Sequence, residues 1–312
     1  MKDIVRVEGI SFEKIWGGSK IKDVLKIDSP YERIGEYWFV SGIQDLNSSV
    51  TDIEKRHYAQ LEEHYKDNSR FYGNYPSDSF PLLIKMIDAA EDLSVQVHPS
   101  DAYALEHFNQ NGKFEFWYVL DCLQDTSIAI GHDLENRNDL SLSIMNETLM
   151  NHINVIPIKP SDYFSIPTGT IHAIHKNTLI YEIQQSSDMT FRVYDYDRLD
   201  DCGNKRDLHI DDAIAVTNVP CQFRKKTSSP EQFDDLFICN MEENPYFSVS
   251  SITCNGKGEY PINGYFNIIG CIRGQGKVNG VAMEFGHHII IGNHIKKLTI
   301  EGDLSLIRTT PL

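Results

Sequence analysis

From residue 93 onward the chain is a succession of short runs rich in β-branched and aromatic residues, each ended after a few positions by Gly, Pro, Asn or Asp. These runs predict strands over 93–98, 115–122, 127–131, 163–167, 170–175, 179–185 and 190–195, at the spacing of a β-barrel or sandwich. After Asn204 the texture changes. A polar stretch from Lys225 to Glu231 leads into further strand candidates at 246–254, 265–272, 275–283, 287–291 and 297–308, and Asn279-Gly280 supplies a strong two-residue hairpin signal. Helices are expected in three places. The capping-box form of Thr51-Asp52-Ile53-Glu54, followed by Tyr58, Leu61 and Tyr65, predicts one over about 52–66. Ser100 to Asn109 and Asp139 to Met150 predict two more. The expected fold is therefore mainly β, two β-barrels in tandem, with residues 1–230 carrying the helical decorations and 231–312 forming a smaller β-domain.

Hydrophobic residues at 41% and aromatics at 11% suffice for a sizeable core, and 24% charged residues fall within the soluble globular range. The 29 Lys and Arg against 45 Asp and Glu leave a net charge of −16, which repels nucleic acid and anionic membrane surfaces. No apolar stretch approaches the roughly 18 residues of a membrane span, and Met1 to Gly9 mixes charged with apolar residues, so a cytoplasmic location is expected. Cys122, Cys202, Cys221, Cys239, Cys254 and Cys271 form no CxxC pair and read as reduced thiols.

The chemistry concentrates in Leu93-Ser94-Val95-Gln96-Val97-His98-Pro99, where strand alternation turns Gln96 and His98 to one face and Val95 and Val97 to the other. A polar pair facing a barrel interior needs partners. Candidates are Glu115, within Gly112-Lys113-Phe114-Glu115-Phe116-Trp117, and His172, after the turn Pro167-Thr168-Gly169-Thr170. Two imidazoles, a carboxylate and an amide oxygen suit Zn²⁺ with one or two positions open, although Mn, Fe, Co or Ni would also fit.

Pro167-x-Gly169-x-x-His172 is similar to the second metal-binding motif of cupins, with Ser161 where that motif begins on glycine. In the first cupin motif His-x-His is expected, whereas here Gln96 takes the first position and Glu115 lies 17 residues beyond His98. Further motifs occur in order: Lys14-Ile15-Trp16-Gly17-Gly18, Ile34-Gly35-Glu36-Tyr37-Trp38, Pro81-Leu82-Leu83-Ile84-Lys85, and Gly112-Lys113-x-Glu115-x-Trp117-Tyr118. Together they resemble the type I mannose-6-phosphate isomerases (phosphomannose isomerases) of the cupin superfamily, in their short bacterial form, over nearly the whole chain. The resemblance implies two cupin-like jelly rolls, one Zn²⁺ per chain held by Gln96, His98, Glu115 and His172, and a phosphorylated hexose as substrate. Two positions depart from the pattern: Phe39 stands where the family often has an acid, and Gly112 where longer members can carry a histidine implicated in ring opening.

Aldose–ketose interconversion opens the sugar ring, removes a proton beside a carbonyl and returns it to the neighbouring carbon through an enediol. Lys85, Lys113 and Arg192 are the basic residues in or beside the barrel strands and are expected to bind substrate, with Arg192 offering a planar fork for phosphate. Arg192, Asp188 and Lys113 are expected to serve catalysis, and Asp188 matches a family aspartate proposed to act on ring-oxygen or hydroxyl protons. His98 is assigned to the metal, and the base acting at carbon stays open among a metal-linked water, a lysine and Asp188. Histidines 132, 152, 175, 209, 287, 288 and 294 lack partners at ligand spacing and are given hydrogen-bonding roles. Two rival readings remain: a cupin that senses sugars without turnover, and a cupin dioxygenase using non-haem iron.

Overall fold

Runs rich in β-branched and aromatic residues become strands, some with one face buried and some, such as Leu82–Ala89 and Thr178–Gln185, buried on both. In the computed structural model, which describes residues 3–53, 58–200 and 202–312, the fold is mainly β. The runs centred on the Gln96 motif and its neighbours form Val95–Val97, Glu115–Cys122, Ser127–His132, Tyr163–Ile166, His172–Ile174, Thr178–Gln185 and Phe191–Tyr194. Towards the C-terminus the strands run longer than expected, as Phe247–Pro261, Asn267–Val278 and Lys297–Pro311. The Asn279-Gly280 turn joins Asn267–Val278 to Val281–Glu284, both of its residues having positive φ as a tight hairpin turn requires.

The chain divides into two compact units. One comprises Ser11–Tyr37 and Lys85–Lys225, the other Met1–Ile10, Trp38–Ile84 and Lys226–Leu312. One boundary between the units lies at 225/226. The discontinuity on the N-terminal side was not expected. It follows from pairing: Ile4–Glu8 joins antiparallel to His288–Ile291 on one side, with Ile4 opposite Ile291, and to Ser49–Asp52 on the other. The resulting ten-stranded sheet buries Ile4 in one core with Leu236, Ile252, Ile289, Ile300 and Leu306.

Of the helix expected over about 52–66, the described residues form only Leu61–Asp67, where Leu61 and Tyr65 meet at i,i+4 on the buried side. Asp52 ends the strand Ser49–Asp52, residues 54–57 lie outside the described residues, and Tyr58–Gln60 is a strand. Tyr58–Gln60 pairs antiparallel with Ser49–Asp52, so backbone that a helix would use internally is taken up by the sheet. Asp101–Phe108 and Arg137–Met145 form as expected, capped by Ser100 and Asn136, whereas Lys20–Leu25 and Ile210–Val216 were not foreseen. No helix among the described residues is long and apolar enough to cross a membrane.

The unit containing Lys85–Lys225 stacks a five-stranded sheet, which holds Val95–Val97, on a sheet that holds Glu115–Cys122 and Thr178–Gln185. Trp117, Phe164 and Ile180 from one sheet meet Ile128, Ile130 and Ile174 from the other in a shared core. Val95 and Val97 face away from that core into a second cluster, with Ala104 buried nearby in its helix and Leu140, Ile144 and Ala213 supplied by two more helices. Gln96 is thus left pointing between the sheets.

Strands Ile10–Gly18 and Ile34–Val40 approach unusually closely in this unit. A Cβ on Gly17 would stand 2.4 Å from the Gly35 nitrogen, and one on Gly35 would stand 2.5 Å from the Lys14 Cβ and 2.9 Å from the Trp16 ring. Glycine at both positions therefore carries Lys14, Trp16 and Glu36 into the same cavity. Gly17→Ala or Gly35→Ala should each lower stability by about 1–3 kcal/mol, the cost of overpacking a close contact, seen as a lower urea midpoint at unchanged m-value.

Candidate metal centre

One row of residues crosses three strands: His172 stands opposite Gln96, and Gln96 opposite Arg192, so the three side chains share a face. The opposing sheet contributes Glu115 and, two positions on, Trp117, whose cross-strand partner is Glu182. Register within each sheet, and the stacking of the two sheets, therefore bring together residues from five strands.

His98, Glu115 and His172 are buried, and one ligand atom from each lies within 4.8 Å of the others. Their orientation is set from outside the cluster. His98 Nδ1 stands 2.9 Å from the Met189 carbonyl and His172 Nδ1 2.9 Å from the Thr170 carbonyl. A carbonyl can only accept, so each Nδ1 carries its proton outward and, in the neutral ring, each Nε2 presents a lone pair inward. Burial, then the charge of Lys113, pulls the His98 pKa down to about 3, and burial also lowers that of His172. Glu115 is held well below the usual carboxylate range, despite the cost of burial, by the ammonium of Lys113.

His98 Nε2 therefore faces Glu115 Oε1 at 3.0 Å, lone pair against carboxylate, and His172 Nε2 lies 3.6 Å from Oε2. Neither His98 Nε2 nor Glu115 Oε2 has a hydrogen-bond partner. A proton between them would require an imidazolium that burial opposes, so a cation is what this donor set fits. Gln96 Nε2 lies 3.4 Å from His172 Nε2 and donates towards it. Its amide oxygen is available as a further ligand only with the amide turned end for end.

Glu115 and Gln96 line a cavity of about 280 Å³ that is also lined by Lys85, Lys113, Asp188 and Arg192. All four of the remaining residues singled out from sequence thus meet in one place, but not as equals. Lys113 is buried with Nζ 3.2 Å from Glu115 Oε1, and Lys85 is buried 3.0 Å from Glu182 Oε1 and 3.7 Å from Glu36 Oε2. Asp188 is exposed and Arg192 half-buried.

Sequence reasoning missed Glu182. Burial first, and then the negative charge of Glu115, raise its pKa to about 7 against the opposing pull of Lys85. Its Oε2 accepts from the Trp117 indole at 2.6 Å. A glutamate inside the fully buried strand Thr178–Gln185 was the available signal, since an unpaired carboxylate is almost never placed there. Arg206 and His209 were also missed as cavity residues.

Residues 4–116 match the family model for the type I phosphomannose isomerase catalytic domain, and residues 238–311 match the mannose-6-phosphate isomerase cupin domain. The chain is 36% identical over 310 residues to the probable mannose-6-phosphate isomerase GmuF of Bacillus subtilis, covering 98% of each. It is 36% identical to the mannose-6-phosphate isomerase of Streptococcus mutans, covering 95% of this chain and 94% of that one. The chain belongs to the type I phosphomannose isomerase family. The crystal structure of the mannose 6-phosphate isomerase from Bacillus subtilis superposes with a TM-score of 0.94 at 34% identity, covering 99% of both chains. A putative mannosephosphate isomerase from Archaeoglobus fulgidus, at 18% identity and a TM-score of 0.80, shares the fold. Both family models leave 117–237 unmatched, the stretch that supplies His172, Glu182 and Arg192, whereas the relatives align across it.

Because its folded pKa lies above the ordinary value of 4.5, Glu182 favours the fold most when protonated. That contribution is present below pH 4.5 and is lost as pH rises through about 7. Lys85→Met removes the cation that opposes the shift. In metal-free protein this variant should titrate Glu182 above about 7 and lose stability towards alkaline pH more steeply than the parent. Carboxyl-carbon NMR and urea midpoints measured across pH would check it.

Proposed function

We propose that this protein is a metal-dependent aldose–ketose isomerase that interconverts mannose 6-phosphate and fructose 6-phosphate through an enediol. The observation that carries the reading is a buried His98–Glu115–His172 donor set whose Glu115 lines the same cavity as a second buried carboxylate, Glu182, with its pKa raised to about 7. The names of the Bacillus and Streptococcus relatives support the same activity. The metal is proposed to be Zn²⁺, one per chain, with Gln96 as the fourth ligand, because two imidazoles, a carboxylate and an amide form a four-coordinate N/O set. The fold is read as two cupin-like jelly rolls, the metal in the first and none in the smaller one over 231–312, acting in the cytoplasm on a phosphorylated hexose.

When bound, the cation supplies positive charge where two substrate oxygens become negative. Glu182 takes the proton from the carbon beside the carbonyl and returns it to the neighbouring carbon, a task for which a pKa near operating pH is suited. Lys85, 3.0 Å from Glu182, holds that carboxylate in place and remains charged, because Glu182 and Glu36 outweigh the cost of its burial. Lys113 fixes Glu115 and adds positive charge beside the reacting oxygens. Asp188, exposed at the cavity, handles hydroxyl and ring-oxygen protons, the role left open by Gly112. Arg192 binds the phosphate with its planar fork.

Purified protein should hold close to one zinc, and chelation should abolish fructose 6-phosphate formation in a coupled assay until zinc is restored. His172→Ala should lose the metal. Glu182→Gln and Asp188→Asn should keep it while lowering kcat by roughly 10²–10⁴-fold. The parental kcat/KM should rise with pH as Glu182 ionises, with its inflection below about 7, because the cation neutralises the Glu115 charge that helps to raise it. Stoichiometric metal and sugar binding without turnover would make the protein a sensor and sink the isomerase reading.

A further inference from the structure

Anion binding in this cavity has to use cations that are not already neutralised. Lys85 and Lys113 are buried against Glu182, Glu36 and Glu115, and Lys14 lies 3.6 Å from Glu36. Two guanidiniums line the cavity besides: Arg192, and Arg206, which shares the single carboxylate of Asp195 with Arg198, two cations on one anion. Arg192 has a buried Nε with no hydrogen-bond partner. Its main chain is pinned by His209, whose Nδ1 accepts from the Arg192 amide at 3.2 Å and whose own amide donates to the Arg192 carbonyl at 2.8 Å.

Arg206 is held differently. Its Nε donates to Asp195 Oδ2 at 2.7 Å and its Nη2 to Asp195 Oδ1 at 2.5 Å, a two-point grip on one edge of the guanidinium. Its Nη1 has no protein partner among the described residues, and the side chain is 24% exposed. Arg198, the other arginine on Asp195, does not line the cavity: its Nη2 binds Asp195 and its Nη1 binds the Asp92 carbonyl. Burial, and next the nearby charge of Arg206, make the Arg192 cation harder to keep, although Asp195, Asp188 and Asp207 offset this. Two guanidiniums held within electrostatic reach of each other are relieved by a multivalent anion that both can touch.

We propose that Arg206, oriented by Asp195, is a second phosphate-binding cation of this cavity, gripping the dianion together with Arg192 and setting the preference for a phosphorylated over an unphosphorylated sugar. The inference rests on the phosphorylated-sugar reading and adds to it a residue from the 195–209 segment. Asp195 is a positioning residue, since it contacts the guanidinium edge and not the anion.

The test uses the full-length, metal-loaded protein, with calorimetric titration of inorganic phosphate and steady-state kinetics on mannose 6-phosphate and on mannose. Arg206→Ala should weaken phosphate binding and raise the KM for mannose 6-phosphate by about tenfold or more, the effect of losing a charge-assisted pair, with kcat within about threefold and turnover of mannose unchanged. Arg206→Lys, which keeps the charge but loses the two-point grip, should fall between parent and Arg206→Ala. Asp195→Asn should reproduce part of the KM effect without lowering kcat. Unchanged phosphate affinity in both Arg206 variants, or equal proportional losses on mannose and mannose 6-phosphate, would overturn the proposal, as would a parent that does not bind phosphate. If the parent binds phosphate, Arg206→Ala does not, and neither isomerises sugar, the anion site stands and the isomerase reading fails.

Discussion

A buried carboxylate with imidazole lone pairs turned towards it is the condition on which the rest of this structure depends. Removing Glu115 from water costs several kcal/mol unless positive charge accompanies it. Lys113, 3.2 Å away, supplies part of that charge. The carbonyls of Met189 and Thr170 take the Nδ1 protons of His98 and His172, which leaves both rings without an inward-facing proton for Glu115. The arrangement has room for one more positive charge at its centre, and two sheets, a proline-containing turn and the 186–190 loop act together to keep it that way.

The same reasoning explains how a chain of net charge −16 can offer a site to an anion. Its positive groups are segregated by depth. The two buried lysines face three glutamates, Glu36, Glu115 and Glu182, a set that shapes proton affinity more than it attracts an anion. The arginines sit farther out, half-buried, and keep donors to spare. In the proposed reading, deep cations tune chemistry and outer ones recognise charge. Low surrounding dielectric strengthens both effects.

Holding the cluster in place is the work of the opposite face of the Gln96 strand. Val95 and Val97 pack into an apolar layer beneath the helices, so the strand cannot rotate without exposing them. A register slip of one residue would exchange Gln96 for valine in the cavity. The Gly17–Gly35 approach plays a similar part for Lys14, Trp16 and Glu36, which explains in steric terms why two glycine-containing motifs flank the site residues.

Much of this was legible in the sequence because it depends on local periodicity. Alternation in 93–98 placed Gln96 and His98 against the valines, the Pro167-to-His172 turn pointed a histidine inward, and ordered motifs carried the resemblance to the family. What tertiary structure decided is which distant segments become neighbours. A strand's pattern shows which face it buries but not which strand it pairs with, so Ile4–Glu8 joined the sheet that contains His288–Ile291, and Tyr58–Gln60 became strand where a helix was expected. Glu182 looked like one polar residue in an apolar run until register set it across from Trp117 and beside Lys85. Arg206 lies in a segment with no periodicity at all, and only the grip of Asp195 brings it to the cavity. Residue types and their alternation determined the kind of site this protein has, while long-range strand pairing and burial decided which of its charges are free to act.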